Sequence, residues 1–268
     1  FDKIDEKPPK ILKFRKERSV KMKFVVLRKK TLIIALLVLA FAVFVPVGAT
    51  VAFSRQKKLP IYSVGTEEKK VAISFDCAWG TDYTETLLNI MEREKVVSTF
   101  FMVEFWTTKY PDLVKKIAGG GHAIGTHSTT HSYMSKLTEA QIEEELTRSS
   151  MAIKAVTGEE VTLFRPPYGD YDDLLIETAE RLGLYTIQWD VDSLDWKKLS
   201  AAEIAARVTS GVKNGSIVLF HNNGLHTAEA LPAVIADLKE KGFTFVRIDD
   251  LIYKDGYYID ADGRQIKQ

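Results

Sequence analysis

From Val71 onward, short β-rich runs alternate with helical stretches seven times, and few architectures accommodate that rhythm. The runs are VAISF at 71, VVSTFFMV at 96, HAIGT at 122, VTLF at 161, LYTIQWDV at 184, SIVLF at 216 and FTFVRI at 243. Strands joined through helices run parallel, since a parallel pair needs a long crossover, so the pattern predicts a parallel α/β domain. The intervening segments carry their own helix signals. Thr138 with Gln141 and Ser200 with Glu203 have capping-box spacing, and Gly183 and Gly242 stand where helices should stop. With 46% hydrophobic and 27% charged residues, the 268-residue chain can bury such a core, which argues against disordered and wholly membrane-embedded classes.

The segment before Val71 has a different character. Residues 1–30 hold 12 Lys or Arg against 4 Asp or Glu, whereas the remainder holds 25 against 32. A basic head can signal nucleic acid, but the 24 residues from Thr31 to Ser54 contain no charge at all. At about 1.5 Å per helical residue, such a run crosses a hydrocarbon core of about 30 Å. The expectation is a basic cytoplasmic segment over 1–30, a transmembrane helix or signal anchor over 31–53, a linker over 54–70, the α/β domain over 71–254 and a peripheral tail over 255–268. Arg28, Lys29 and Lys30 directly before the apolar run keep the N-terminus inside and send the domain outward. Met22 opens the MKFVVLRKK stretch as an export signal would, and cleavage near Val47-Gly48-Ala49 would instead release the domain.

Parallel α/β folds build their sites at the carboxyl ends of strands, so the residues following each run are the informative ones. Those ends read Asp76-Cys77-Ala78-Trp79-Gly80, His127-Ser128-Thr129-Thr130-His131, Arg165-Pro166-Pro167-Tyr168-Gly169, Asp192-Ser193-Leu194-Asp195-Trp196 and His221-Asn222-Asn223. Acids, histidines and an arginine thus converge on one rim. His127 and His131 have the four-residue spacing that lets two imidazoles reach one metal ion. His122, at the opposite end of its strand, and His226, at a helix start, read as structural or surface residues. Phe100 and Phe101 read as core, and Asp195 as a turn or cap residue.

Together the H-S-x-x-H, R-P-P-Y-G and D-x-x-D-W segments resemble the motifs of the polysaccharide deacetylases of carbohydrate esterase family 4, the NodB homology domain. The resemblance covers residues 71 to about 253, and F-D-x-x-W-G after an N-terminal anchor is most similar to the sporulation-associated branch. It implies a deformed (β/α)7 barrel and metal-dependent hydrolysis of N-acetyl groups on a cell-wall or spore-cortex polysaccharide, with Zn2+ as the cofactor and Co2+ as a substitute. Carried onto this chain, it implies Asp76 as general base held by Arg165, and His127 and His131 as metal ligands. The backbone N–H of Tyr168 becomes an oxyanion donor. His221 becomes the acid that protonates the leaving amine, with Asp192 as its partner, and Leu219 and Trp196 become the wall around the acetyl methyl group.

Cys77, the only cysteine, stands where the family usually carries a second, metal-binding aspartate. Three readings stay open: a thiolate ligand, a buried small residue that leaves two protein ligands, or a domain that binds glycan without turnover. An O-acetyl esterase on the same fold is a further alternative. The expected partners are polysaccharide and, through the N-terminal helix, a membrane; nucleic acid is not expected, and the protein is expected to act as a monomer.

Overall fold

The computed structural model describes residues 57–268, with seven helical positions between 29 and 38. The expected spanning helix over 31–53 otherwise lies outside the described residues, as does most of the basic segment before it. Among the described residues no helix is long and apolar enough to cross a membrane.

Residues 57–268 form a curled α/β half-barrel. Its strands are β1 (Ser63–Val64), β2 (Lys70–Cys77), β3 (Thr99–Met102), β4 (Ala123–Thr126), β5 (Leu163–Phe164), β6 (Tyr185–Thr186), β7 (Val191–Asp192), β8 (Ser216–His221), β9 (Thr244–Phe245), β10 (Tyr257–Ile259) and β11 (Arg264–Lys267). They order as β10-β11-β1-β8-β2-β3-β4-β5-β6, with β7 added on β8 and β9 on β2. From β6 through β2 to β8 and β7 every pairing is parallel. The principal helices are α1 (Thr84–Glu94), α2 (Glu104–Lys109), α3 (Pro111–Gly119), α4 (Glu139–Thr157), α5 (Asp173–Arg181), α6 (Ala201–Gly211) and α7 (Thr227–Glu240). Both capping boxes form: Thr138 N–H donates to Gln141 Oε1 and Ser200 N–H to Glu203 Oε2, each at 2.9 Å, at the starts of α4 and α6.

Strand β2 shows how sequence divides the core. Val71, Ile73, Phe75 and Cys77 share one face and pack with Leu87 and Met91 of α1 and Leu231 and Ile235 of α7. Ala72 lies on the other face, among Phe101, Leu163 and Ile217. Side chains alternate across a strand, so Asp76 falls on the inner face and Cys77 on the helix-covered one.

Three expectations need correction. The run at 184–191 is two strands, not one, with no helix between β6 and β7; Asp190 breaks it, its carboxylate accepting from Ser216 Oγ and Ile217 N–H, each at 2.8 Å. The curl remains consistent with the expected deformed (β/α) barrel, as a half-barrel. The stretch expected to be linker carries the strand that links both flanks of the sheet. Ile61 bridges to Ile187 just past β6, while β1 pairs with β8 and β11. Its approach depends on Gly215, where a Cβ would stand 1.8 Å from the Val64 carbonyl oxygen. Lastly, the tail joins the sheet as the β10–β11 hairpin, because Gln265 is buried and exchanges 2.8 Å hydrogen bonds with the Tyr253 backbone.

Candidate active site

The parallel register brings the strand ends to one rim. Asp76 lies opposite His221 on β8 and opposite Phe101 on β3, and His127 and Arg165 directly follow β4 and β5. They border a cleft of about 830 Å³ whose lining includes Asp76, His127, His131, Tyr168, Asp192, Trp196, Leu219 and His221. Nearly all the expected site residues are thus gathered in one place. Arg165 lies fully buried behind the cleft, and Cys77 is directed away from it.

Asp76 and Arg165 form a buried ion pair, with Nη1 2.8 Å from Oδ1. The guanidinium also donates to the Gln188 carbonyl at 3.2 Å and lies 4.2 Å over the Phe101 ring. Burial opposes charge on Asp76, but Arg165, followed by His127 and His221, outweighs it and holds the carboxyl below the usual carboxylate range.

His127 Nδ1 donates to the Arg165 carbonyl at 2.7 Å, which leaves Nε2 as the lone-pair nitrogen, 3.6 Å from Asp76 Oδ2. The His131 ring follows at 4.9 Å, and its buried Nδ1 has no hydrogen-bond partner. Burial lowers both imidazole pKa values, that of His131 to about 4, so both rings are neutral at pH 7. The turn between them is held from behind by Glu145 on α4. Its carboxylate accepts from the N–H groups of Thr129 (2.9 Å) and Thr130 (2.8 Å) and from Thr130 Oγ1 (2.7 Å). That turn needs holding, because Ser128 and His131 both have left-handed φ. Of six such non-glycine residues among those described, five (Ser128, His131, Tyr168, Leu194 and Lys198) lie in the loops after β4, β5 and β7.

On the opposite side the expected partner of His221 is corrected. Asp195 Oδ1, not Asp192, lies 2.7 Å from His221 Nδ1, and Asp195 Oδ2 accepts the His221 N–H (2.8 Å) and the Thr227 hydroxyl (2.6 Å). Asp192 instead accepts from Leu194 N–H at 2.8 Å and caps the turn that swings Asp195 inward. Gly224 allows the approach, since a Cβ there would meet Asp195 Oδ2 at 2.8 Å. Burial works against the imidazolium, but Asp195, with smaller help from Asp76 and Asp192, raises the His221 pKa overall. His122 is structural as expected, its Nδ1 accepting from Ser98 N–H at 3.1 Å.

Cys77, left open as a ligand, does not line the cleft that holds the two imidazoles. It is fully buried on the helix-facing side of β2, and burial followed by the Asp76 charge pushes its thiol well above the ordinary value. Among the described residues no group of three or more His, Cys, Asp and Glu side chains is arranged to hold a metal ion. The two imidazoles do suit a borderline divalent cation. Both are neutral, His127 is oriented through its second nitrogen, and His131 keeps an unpartnered one. This set is one protein ligand short of the three usual at a catalytic zinc.

Sequence reasoning missed Asp195, whose role depends on the turn after β7, and Glu145, whose helix is remote in sequence. It also missed Trp79, although the F-D-x-x-W-G segment displayed it; Trp79 lines the cleft beside Trp189, Asn223 and Leu225.

Residues 63–187 match the family model described as polysaccharide deacetylase. The chain is 36% identical over 193 residues to the uncharacterized protein YlxY of Bacillus subtilis, covering 72% of this chain and 60% of that one. It is 32% identical to the peptidoglycan-N-acetylmuramic acid deacetylase PdaA of Bacillus subtilis, over 72% of this chain and 75% of the relative. The structure of PdaA, a family 4 carbohydrate esterase, superposes with a TM-score of 0.68 at 31% identity, covering 72% and 84% of the two chains. BA3943 of Bacillus anthracis, a family 4 pseudoenzyme, superposes with a TM-score of 0.70 at 30% identity over 78% and 73%; a mutant of BA3943 has restored activity.

Proposed function

The chain belongs to the polysaccharide deacetylase family, and on that premise we propose that it removes N-acetyl groups from a glucosamine- or muramic-acid-containing cell-wall or spore-cortex glycan. The observation that carries this reading is a pair of oppositely tuned groups. Asp76 is held ionised and His221 is held toward its protonated form, in register on adjacent strands across one cleft. Environments that push two titratable groups apart in this way suit a base and an acid.

Each remaining side chain then has a task. Asp76 takes a proton from the water that attacks the acetamido carbonyl, and Arg165 keeps that carboxylate charged and oriented. Held by His127 and His131, a divalent cation, zinc foremost with cobalt as a substitute, would supply Lewis acidity to the same carbonyl. The backbone N–H of Tyr168 donates to the oxyanion as it develops. His221, steadied by Asp195, gives its proton to the nitrogen as the C–N bond breaks, so amine and acetate leave. Leu219 and Trp196 enclose the methyl group. The uncharged run from Thr31 to Ser54 behind Arg28–Lys30 supports a membrane anchor with the domain outside.

A second reading, glycan binding without turnover, is favoured by the burial of Cys77, which leaves two imidazoles as ligands, and by the pseudoenzyme among the similar structures. The test is acetate release from tetra-N-acetylchitotetraose and from peptidoglycan fragments, with chelator and then with added zinc or cobalt, beside O-acetylated xylan. Metal-restored release from the N-acetylated glycans supports the proposal. Release from xylan alone selects the esterase, and binding without release selects the non-catalytic reading.

A further inference from the structure

The turn after β5 is strained. Tyr168 and Gly169 both hold left-handed φ, at +60° and +66°, which is costly for the tyrosine. Within the turn, Gly169 N–H donates to the Pro166 carbonyl at 3.2 Å and Asp170 N–H to the Pro167 carbonyl at 3.0 Å. Strain of this kind persists where the surroundings over-determine the backbone, so the supports of the turn decide where it stands. One support comes from the neighbouring loop, where Ser135 gives its N–H (2.9 Å) and its hydroxyl (2.8 Å) to the Asp170 carboxylate.

The other support comes from residues 58–62, which the sequence presented as linker. Lys58 N–H donates to Asp173 Oδ1 at 3.0 Å, and the Tyr62 hydroxyl donates to that of Tyr171 at 3.2 Å. Burial, and after it the Tyr171 hydroxyl, push the Tyr62 phenol above its ordinary value, so it remains a donor. Between these two contacts Ile61 grips a second part of the site. Its N–H donates to the Thr186 carbonyl at 2.9 Å and its carbonyl accepts Gln188 N–H at 2.8 Å, and the Gln188 carbonyl is the one that accepts from the Arg165 guanidinium. Tyr62 itself is not part of the cleft lining. It is backed by the C-terminal hairpin: its N–H donates to the Gly263 carbonyl at 2.9 Å, and a Cβ at Gly263 would strike its ring at 2.3 Å.

We propose that Tyr62 is a positioning residue, which from outside the cleft holds, through Tyr171, the left-handed turn that aims the Tyr168 N–H, while Ile61 beside it steadies Gln188 and so Arg165. The effect on turnover rests on the deacetylase reading; the hold on the turn does not.

Tyr62→Phe keeps the ring against Gly263 and loses only the hydroxyl. In hydrogen exchange, its Gly169 and Asp170 amides should exchange at least about threefold faster, while those of α1 keep the wild-type rate. In acetate release from tetra-N-acetylchitotetraose, kcat should fall about three- to tenfold, the scale of one hydrogen bond, with KM unchanged and the melting temperature within about 4 °C of the wild type. Tyr171→Phe should do the same, and the double variant should do no more than either single one, since all three remove one contact. Unchanged exchange at Gly169 and Asp170, faster exchange throughout the domain, additive losses in the double variant, or wild-type kcat in an active Tyr62→Phe enzyme would each overturn the proposal. A wild type that releases no acetate, with the turn loosened in Tyr62→Phe, would sink the deacetylase reading and leave the hold standing.

Discussion

Asp195 Oδ1 lies 2.7 Å from His221 Nδ1, while its second oxygen accepts the backbone N–H of the same histidine, so one buried carboxylate fixes both the ring and the main chain of the residue that faces the cleft. Orientation and charge come from the same contact, and removing it should alter both.

In the pH profile, Asp195→Asn should lower turnover by at least about tenfold and move the alkaline limb of kcat/KM to lower pH. The sign follows from the direction of the shift. Asp195 raises the His221 pKa, so the protonated acid persists to higher pH with the carboxylate than without it. The stability contributed by the pair is full below the ordinary histidine value near about 6.5 and is lost as pH rises through the raised one. Asp192→Asn should shift the limb less, because Asp192 bonds Leu194 rather than His221. An equal or larger shift in Asp192→Asn would restore it as the partner.

Asp76→Asn should reduce turnover by at least about 10²-fold, the scale of a lost general base, and remain folded because the amide still accepts from Arg165. Arg165→Ala should behave differently. It leaves a carboxylate buried and unpaired, at a cost of about 3–5 kcal/mol, visible as a large fall in melting temperature. Since the folded Asp76 pKa is lowered, its stabilising contribution is present above about pH 4 and disappears as pH falls through the lowered value. The stability difference between the wild type and Arg165→Ala should therefore be largest near neutral pH and shrink as pH falls.

Zinc titration separates ligands from packing. Cys77→Ser should leave zinc affinity unchanged, and the wild-type thiol should resist alkylation until the domain unfolds. His127→Ala and His131→Ala should each weaken zinc binding by at least about tenfold. Glu145→Ala should also weaken it, and should cost about 1–3 kcal/mol of stability by releasing the turn between the two histidines. Protection of Cys77 from alkylation that depends on zinc would return it to the ligand set.

Removal of the residues before Gly65 should destabilise the domain, although their sequence looks like tether. Ile61 and Val64 are buried, and the backbone of this segment pairs on both sides. Val64→Asp should lower the melting temperature sharply, whereas Lys57→Asp should barely change it. A domain starting at residue 65 with wild-type stability would show that the sheet does not depend on this strand.

Much of this was local, and therefore legible in the sequence. The β-rich run VAISF identified a strand, and because side chains alternate across a strand its continuation assigns Asp76 and Cys77 to opposite faces. Capping chemistry marked the starts of α4 and α6, and the residues after the parallel strands named the rim because chain direction alone decides which end carries the loops. What the tertiary structure decided depended on residues distant in sequence or on turn geometry that composition does not encode. Asp192 and Asp195 are equivalent acids until the left-handed turn at Leu194 directs one of them inward. Glu145 becomes the support of the histidine turn only once α4 packs behind it. The segment at 61–64 is too short for periodicity to mark as a strand; it became one because Gly215, about 150 residues later, leaves room for its backbone and two unpaired strand edges supply its hydrogen bonds.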